Sequence, residues 1–259
     1  MKSLHAVWAI LIIGLICAGS SVAQESEDPE SEVSAIETAV ETRPDATPLE
    51  ILAIITASDY FDLVSERYSE IEDYEANIVI TQPDTIMYGT LFHKRPDMLL
   101  IEFEDPEDLI ISVDGVHLQI YIPYLNVTLD QPLQSHDSLN LAAGTSQQGL
   151  QLMKNRYSIA YLDSEDYVPL EEGSREFVRK LKLEWKNIDE GFRELILSVG
   201  DDLLIRRIEA ITAGLDELAI DFSEVEINPG FSNQMFVWDS PPSAYIIRNF
   251  IFEPETGDE

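Results

Sequence analysis

Apolar and polar side chains alternate along residues 88–124, and each alternating run is closed by a turn signal: Lys94-Arg95-Pro96-Asp97, Asp105-Pro106-Glu107-Asp108, Asp114-Gly115 and Pro123. Proline has no amide to donate to a ladder, and Asp-Gly between apolar runs marks a hairpin. The spacing predicts four short strands in a meander. Successive side chains point to opposite faces of a strand, so Leu99, Ile101 and Phe103 form one apolar row and Leu118, Ile120 and Ile122 another. Glu102, Glu104, Gln119 and Tyr121 stand opposite, which makes one face apolar and the other wet.

The same alternation recurs at residues 74–82 and 85–93, around Pro83-Asp84, and again downstream. Phe177, Arg179, Leu181, Leu183 and Trp185 alternate with Val178, Lys180, Lys182, Glu184 and Lys186, a half-buried strand with a basic outer row. Residues 192–199, 203–212 and 217–227 continue the pattern, and the tail carries Trp238, Pro241-Pro242 and Tyr245-Ile246-Ile247. Upstream the period changes. Leu49, Ile51, Leu52, Ile54, Ile55, Tyr60, Phe61, Leu63, Val64 and Tyr68 recur at helical spacing after the capping box Thr47-Pro48-Leu49-Glu50. They predict one amphipathic helix over 48–71, bent near Ser58-Asp59. Residues 139–157, poor in β-branched side chains, predict a helix broken at Gly144 and resumed over 146–155, as either a lid or a surface connection. About eleven strands and two main helices result. The fold class is mainly β (α+β): an antiparallel sheet joined by tight turns, curling into a barrel or half-barrel as one domain over 48–254, with the first helix over its concave side and a tail at 255–259.

Charge narrows the partners. Among 259 residues, 16 Lys+Arg face 49 Asp+Glu, a net charge of −33. Nucleic acid and anionic membrane surfaces both require a basic patch, so neither is expected. The acid serves solubility or attracts a basic partner. Lys2, an apolar run over 6–17 and the small-residue end Ser21-Val22-Ala23 form a secretory signal peptide, 1–23, too short to span a bilayer. A chain beginning at Gln24 in an extracytoplasmic space is expected. The alternative is a lipid anchor at Cys17, the single cysteine, but Ile16 precedes it where a lipoprotein signal wants a small residue. Cleavage after Ala23 removes the thiol, and with it disulfides and thiol catalysis. Residues 24–47, with Arg43 as the one base, read as a disordered acidic linker.

Reactive constellations are lacking. His93, His117 and His136 have no metal-ligand spacing, and the adjacent Ser135-His136-Asp137 cannot converge as a triad. Gly144-Thr145-Ser146-Gln147-Gln148-Gly149 lacks a nucleophile elbow's spacing. The acidic turns around Asp105 and Asp166 lack the order of a calcium loop, and Asn126-Val127-Thr128 is a glycosylation sequon. No catalytic residue, metal or cofactor is expected. What remains is a curved sheet with an apolar face, either a pocket for an apolar ligand or a barrel filled by its own side chains.

One family shares this order of features. Gly89-Thr90-Leu91, Lys94-Arg95-Pro96, the Asp105-Pro106 turn, residues 109–115, residues 118–123 and the closing Phe236-Val237-Trp238 before Pro241-Pro242 resemble the LolA/LolB family of lipoprotein carriers, over roughly 49–242. The resemblance implies an unclosed half-barrel of eleven antiparallel strands under lid helices. It implies a non-enzymatic, monomeric carrier that binds the acyl chains of lipoproteins or lipids and moves them across the periplasm, from an inner-membrane donor complex to an outer-membrane acceptor. Arg95 would latch the lid through hydrogen bonds to its backbone, as five guanidinium donors suit the orphan carbonyls of a helix end. The cavity would be lined by Leu52, Ile55, Leu99, Ile101, Phe103, Leu118, Ile120, Ile122, Leu181, Leu183 and Trp185. Two other functions fit the residues: a membrane-anchored lipoprotein of the same fold that binds or senses another lipid, and a hydrolase built on a carboxylate pair.

Overall fold

The computed structural model describes residues 55–133, 146–187 and 191–250. The expected signal peptide, acidic linker, capping box at 47–50, His136 and the Gly144 break all lie outside these residues. Helix α1 (Ala57–Ser69) precedes six strands, β1 (Asp73–Gln82), β2 (Thr85–Lys94), β3 (Met98–Asp105), β4 (Ile110–Asp114), β5 (His117–Ile122) and β6 (Val127–Pro132). Helix α2 (Gln147–Arg156) leads into β7 (Tyr157–Tyr161), β8 (Val168–Pro169), β9 (Phe177–Trp185), β10 (Phe192–Val199), β11 (Ile205–Thr212), β12 (Glu217–Ile227) and β13 (Tyr245–Arg248).

All thirteen strands form one unclosed sheet in the order β13-β6-β5-β4-β3-β2-β1-β12-β11-β10-β9-β7, with β8 paired to β9. Every pairing is antiparallel except that of β13 with β6. The sheet is stitched at its middle by β1 and β12, where Tyr74 lies opposite Ile227 and Ile80 opposite Ile220. Gly89 permits a close approach of β2 to β3, because a Cβ there would lie 2.6 Å from the Glu102 carbonyl oxygen.

The half-barrel with covering helices matches the expected fold class, with two differences in detail. The described residues form thirteen strands rather than about eleven, because residues 157–169 add β7 and β8 where no strand was expected. Tyr157, Ile159 and Tyr161 take alternate positions on β7, and the segment pairs with β9. The second difference is where the first helix begins among the described residues. Its N-cap is Thr56, whose hydroxyl accepts from the Asp59 amide at 3.1 Å and donates to the Asp59 carboxylate at 2.7 Å. The expected bend near Ser58-Asp59 is therefore a helix start, made by a cap that satisfies an orphan amide.

After β12 the chain crosses the outer face of β2–β6. The Asp73 carboxylate accepts the amides of Gly230 and Phe231, and Lys94 donates to the Phe231 carbonyl. Phe231 packs edge-on against Phe92, Ser112 donates to the Phe236 carbonyl, Trp238 lies on Tyr121 and the Ser240 hydroxyl meets that of Thr128. Having crossed the sheet, the segment returns beside β6 in the same direction, which is why β13 is parallel.

Candidate functional site: the concave face and its helix

The inner rows of the strands converge on one concave apolar face. Leu99, Ile101, Phe103, Leu118, Ile120, Ile122, Leu181 and Leu183 are all 0–4% exposed and belong to a single core cluster, against which Ile55 and Trp185 are partly buried. Leu52 lies outside the described residues. Helix α1 contributes Tyr60, Phe61, Val64 and Tyr68 to the same cluster, so the helix occupies the concave side. These side chains recur at the three- and four-residue steps of one helical face.

Polar contacts tether α1 at both ends. At its C-terminal end Arg95 Nη1 donates to the Ser69 carbonyl, the Tyr68 hydroxyl accepts the Ile205 amide at 3.2 Å, and the Asn228 side chain accepts the Glu72 amide at 2.8 Å. Burial pushes the Tyr68 phenol up to about 12. Arg95 also borders a depression of about 350 Å3 with Pro96, Ser146 and Gln147, so it stands where the end of α1 meets the start of α2. In the middle, Lys154 of α2 pairs with Asp62 at 2.6 Å. At the N-terminal end the Tyr161 hydroxyl donates to the Ile55 carbonyl at 2.9 Å. Each such bond is worth about 1 kcal/mol net, and an exposed ion pair less, whereas burying each large apolar side chain contributes roughly 1.5–3 kcal/mol. The helix is held chiefly by apolar contact.

Of the polar side chains on the inner rows, which include Gln131 opposite Leu118, two bear on the site. His93 is 2% exposed, stacks on Tyr74 at 5.2 Å and has no hydrogen-bond partner for either ring nitrogen. Burial, aided by the Arg95 charge, lowers it to about 4, so it is neutral. Arg179, on the inner row of β9, is the second. Its guanidinium carbon lies 4.5 Å from the centre of the Tyr60 ring, 4.7 Å from Tyr167 and 5.8 Å from Tyr161. Sequence reasoning placed Arg179 on the inner row and Tyr60 on the apolar face of the helix without linking them, and it passed over Tyr161 and Tyr167. Tyr60 comes from α1 and Tyr161 and Tyr167 from β7 and the loop after it, about a hundred residues away, so no local spacing links them to α1.

Among the described residues, the other titratable groups do not gather into a catalytic set. His117 Nδ1 pairs with Asp130 at 2.8 Å on the outer face. Asp73 and Asp130 are the buried carboxylates among the described residues, and both are engaged away from the concave face. No group of three or more His, Cys, Asp or Glu among the described residues could hold a metal ion. No helix among them is long and apolar enough to cross a membrane. A groove of about 540 Å3 lies on the outer face, where Glu194, Glu209 and Glu217 line it beside Thr81 and Gln82.

No family model matches the chain, and no curated protein matches it by sequence. Solved structures similar in architecture include a conserved protein of Thermus thermophilus, at 13% identity and TM-score 0.48, covering 72% of this chain and 98% of that one. A LolA superfamily protein from Nitrosomonas europaea is similar at 11% identity and TM-score 0.38, covering 71% and 98%. The complex of MucA and MucB from Pseudomonas aeruginosa contains a chain similar at 10% identity and TM-score 0.46, covering 74% of this chain and 63% of that one. The likeness is one of architecture. At such identities and TM-scores, what this chain does has to be read from its own residues.

Proposed function

We propose that the protein is a non-catalytic carrier that binds acyl chains of lipoproteins or lipids reversibly on its concave face, with α1 as a removable lid. The observation that carries this reading is the way α1 lies on the apolar inner rows. Its Tyr60, Phe61, Val64 and Tyr68 belong to the same buried cluster as Leu99, Ile101, Phe103, Leu118, Ile120 and Ile122, and they meet the sheet at Tyr74, Tyr161, Arg179 and Ile205. An acyl chain offers the same kind of apolar area as those side chains, at about 0.8 kcal/mol per buried methylene, so helix and ligand can exchange near balance. A carrier needs that balance in order to load and unload. Arg95, bonded to the Ser69 carbonyl, is the latch in this reading. The destination is the periplasmic face of an outer-membrane acceptor, with an inner-membrane complex as donor.

Native mass spectrometry of the protein purified from its own envelope fraction tests the reading. A bound triacylated lipoprotein supports the carrier, free lipid moves the protein to the lipid-sensing alternative, and the absence of any acyl adduct overturns both. Arg95→Glu places a carboxylate against the Ser69 carbonyl and is expected to speed acyl-chain release several-fold. Unchanged release would remove Arg95 as the latch.

A further inference from the structure

Arg179 is out of keeping with the other arginines around it. The chain carries a net charge of −33, and Arg206 and Arg207 on β11 are each held by two carboxylates, Glu176 with Asp202 and Glu171 with Asp221. Arg179 forms no ion pair among the described residues, and its Nε is buried with no hydrogen-bond partner. Leaving a guanidinium N–H unbonded away from water is costly, and hydrogen bonds to charged groups are worth about 1.5–3 kcal/mol. Tyr60 and Tyr167 offer ring faces within 5 Å, which offset part of the charge but accept none of its N–H groups conventionally.

The surroundings have the chemistry of a binding site for an anion on an apolar stem. The hydroxyls of Tyr60 and Tyr167 are 3.5 Å apart beside the guanidinium, two further donors converging from different elements. Burial, and then the hydrogen bond to Tyr167, raise the Tyr60 phenol, which keeps it a protonated donor. Tyr60 is 2% exposed and Tyr167 38%, so the cluster runs from the core beneath α1 to the surface. Leu181 and Leu183 follow Arg179 along the same inner row, and Val168 and Phe177 stand exposed at its outer end. A ligand entering past Phe177 would meet the guanidinium first and the apolar rows behind it.

We propose that Arg179, with the hydroxyls of Tyr60 and Tyr167, binds the anionic head, a carboxylate or a phosphate, of an acyl amphiphile whose chain lies on the concave face. The proposal rests on the acyl-chain reading above and adds the chemical class of the head. The head supplies the oxygen acceptors that the ring faces lack, and by bonding both Arg179 and Tyr60 it joins β9 to the N-terminal end of α1. The latch at Arg95 and the site at Arg179 thus hold opposite ends of one helix.

Three amphiphiles sharing an oleoyl chain test it: oleate, oleoyl lysophosphatidic acid and the neutral mono-oleoylglycerol. Each is titrated below its micelle concentration into the full chain, its Arg179→Gln and its Arg179→Lys variants. Preference for an anionic head over the neutral one by about tenfold is expected in the natural protein, corresponding to one charge-assisted contact of ~1.4 kcal/mol. Arg179→Gln should bring that ratio close to one with the neutral ligand unchanged, and Arg179→Lys should keep part of it. The stronger of the two anionic ligands identifies the head as carboxylate or phosphate. Equal binding of all three amphiphiles to the natural protein overturns the anion site and leaves the acyl-chain reading standing. Binding of none overturns both. A purely structural clamp would change affinity for all three alike, which also counts against the site.

Discussion

At the scale of single residues, His93 makes the sharpest statement about conditions. An imidazole in an unfolded chain titrates near 6.5, and burial lowers this one to about 4. Between those values the unfolded chain binds more protons than the folded one. Stability is therefore full above pH 6.5, falls as pH drops through the window and levels off below about 4, by on the order of 3 kcal/mol in total. His93→Phe keeps a ring on Tyr74 but cannot take a proton. Thermal unfolding at pH 7 and at pH 4.5 should show a smaller loss in the variant than in the natural protein. An equal loss in both would mean that the unpartnered ring is protonated in the folded state.

At the scale of elements, α1 is the part whose motion matters, and its N-cap is the simplest handle on it. Thr56→Ala removes the hydroxyl that accepts the Asp59 amide, which costs about 1 kcal/mol. Hydrogen exchange of the α1 amides should speed up by roughly fivefold while the central amides of β1 and β12 change less. Uniform acceleration across the sheet would show that helix and sheet open as one unit. This helix also marks how far the chain could be read in advance. The inner rows at 99, 101 and 103, at 118, 120 and 122, and at 181 and 183 were legible because a period of two survives wherever one face is buried. The start of α1 was not, because the apolar positions at 49–55 continue the helical period upstream and hide the Thr56–Asp59 cap. The cluster on Arg179 was illegible for a different reason: Tyr60 lies about a hundred residues from Tyr161 and Tyr167, and only the folded sheet brings them all within 6 Å of the guanidinium.

At the scale of the whole molecule, charge opposes compactness. Forty-nine acidic side chains against sixteen basic ones repel one another over a surface that folding contracts. Raising the salt from about 10 mM to 0.1 M shortens the screening length from roughly 30 Å to 10 Å. The melting temperature is expected to rise over that range, by about 2–4 °C for each kcal/mol of repulsion relieved. A fall would show that exposed pairs such as Lys154–Asp62 outweigh the general repulsion. The pairing of strands at the two ends of the sheet was the least legible feature at this scale. Nothing in Tyr245-Ile246-Ile247 specifies a parallel partner, and its direction follows only from the route that residues 228–244 take across the outer face.

That route also sets the order in which the molecule can be made. β1 must wait for β12, with Tyr74 meeting Ile227, and β6 must wait for β13, with Val127 meeting Tyr245. More than a hundred residues have to be synthesised between the partners in each case. Contacts so distant along the chain make folding slow, and the face carrying Phe92, Ser112 and Tyr121 stays uncovered until residues 231–238 emerge. The structure thus ties the completion of the sheet to the emergence of β12 and β13, and β1 and β6 each lack one neighbour until then.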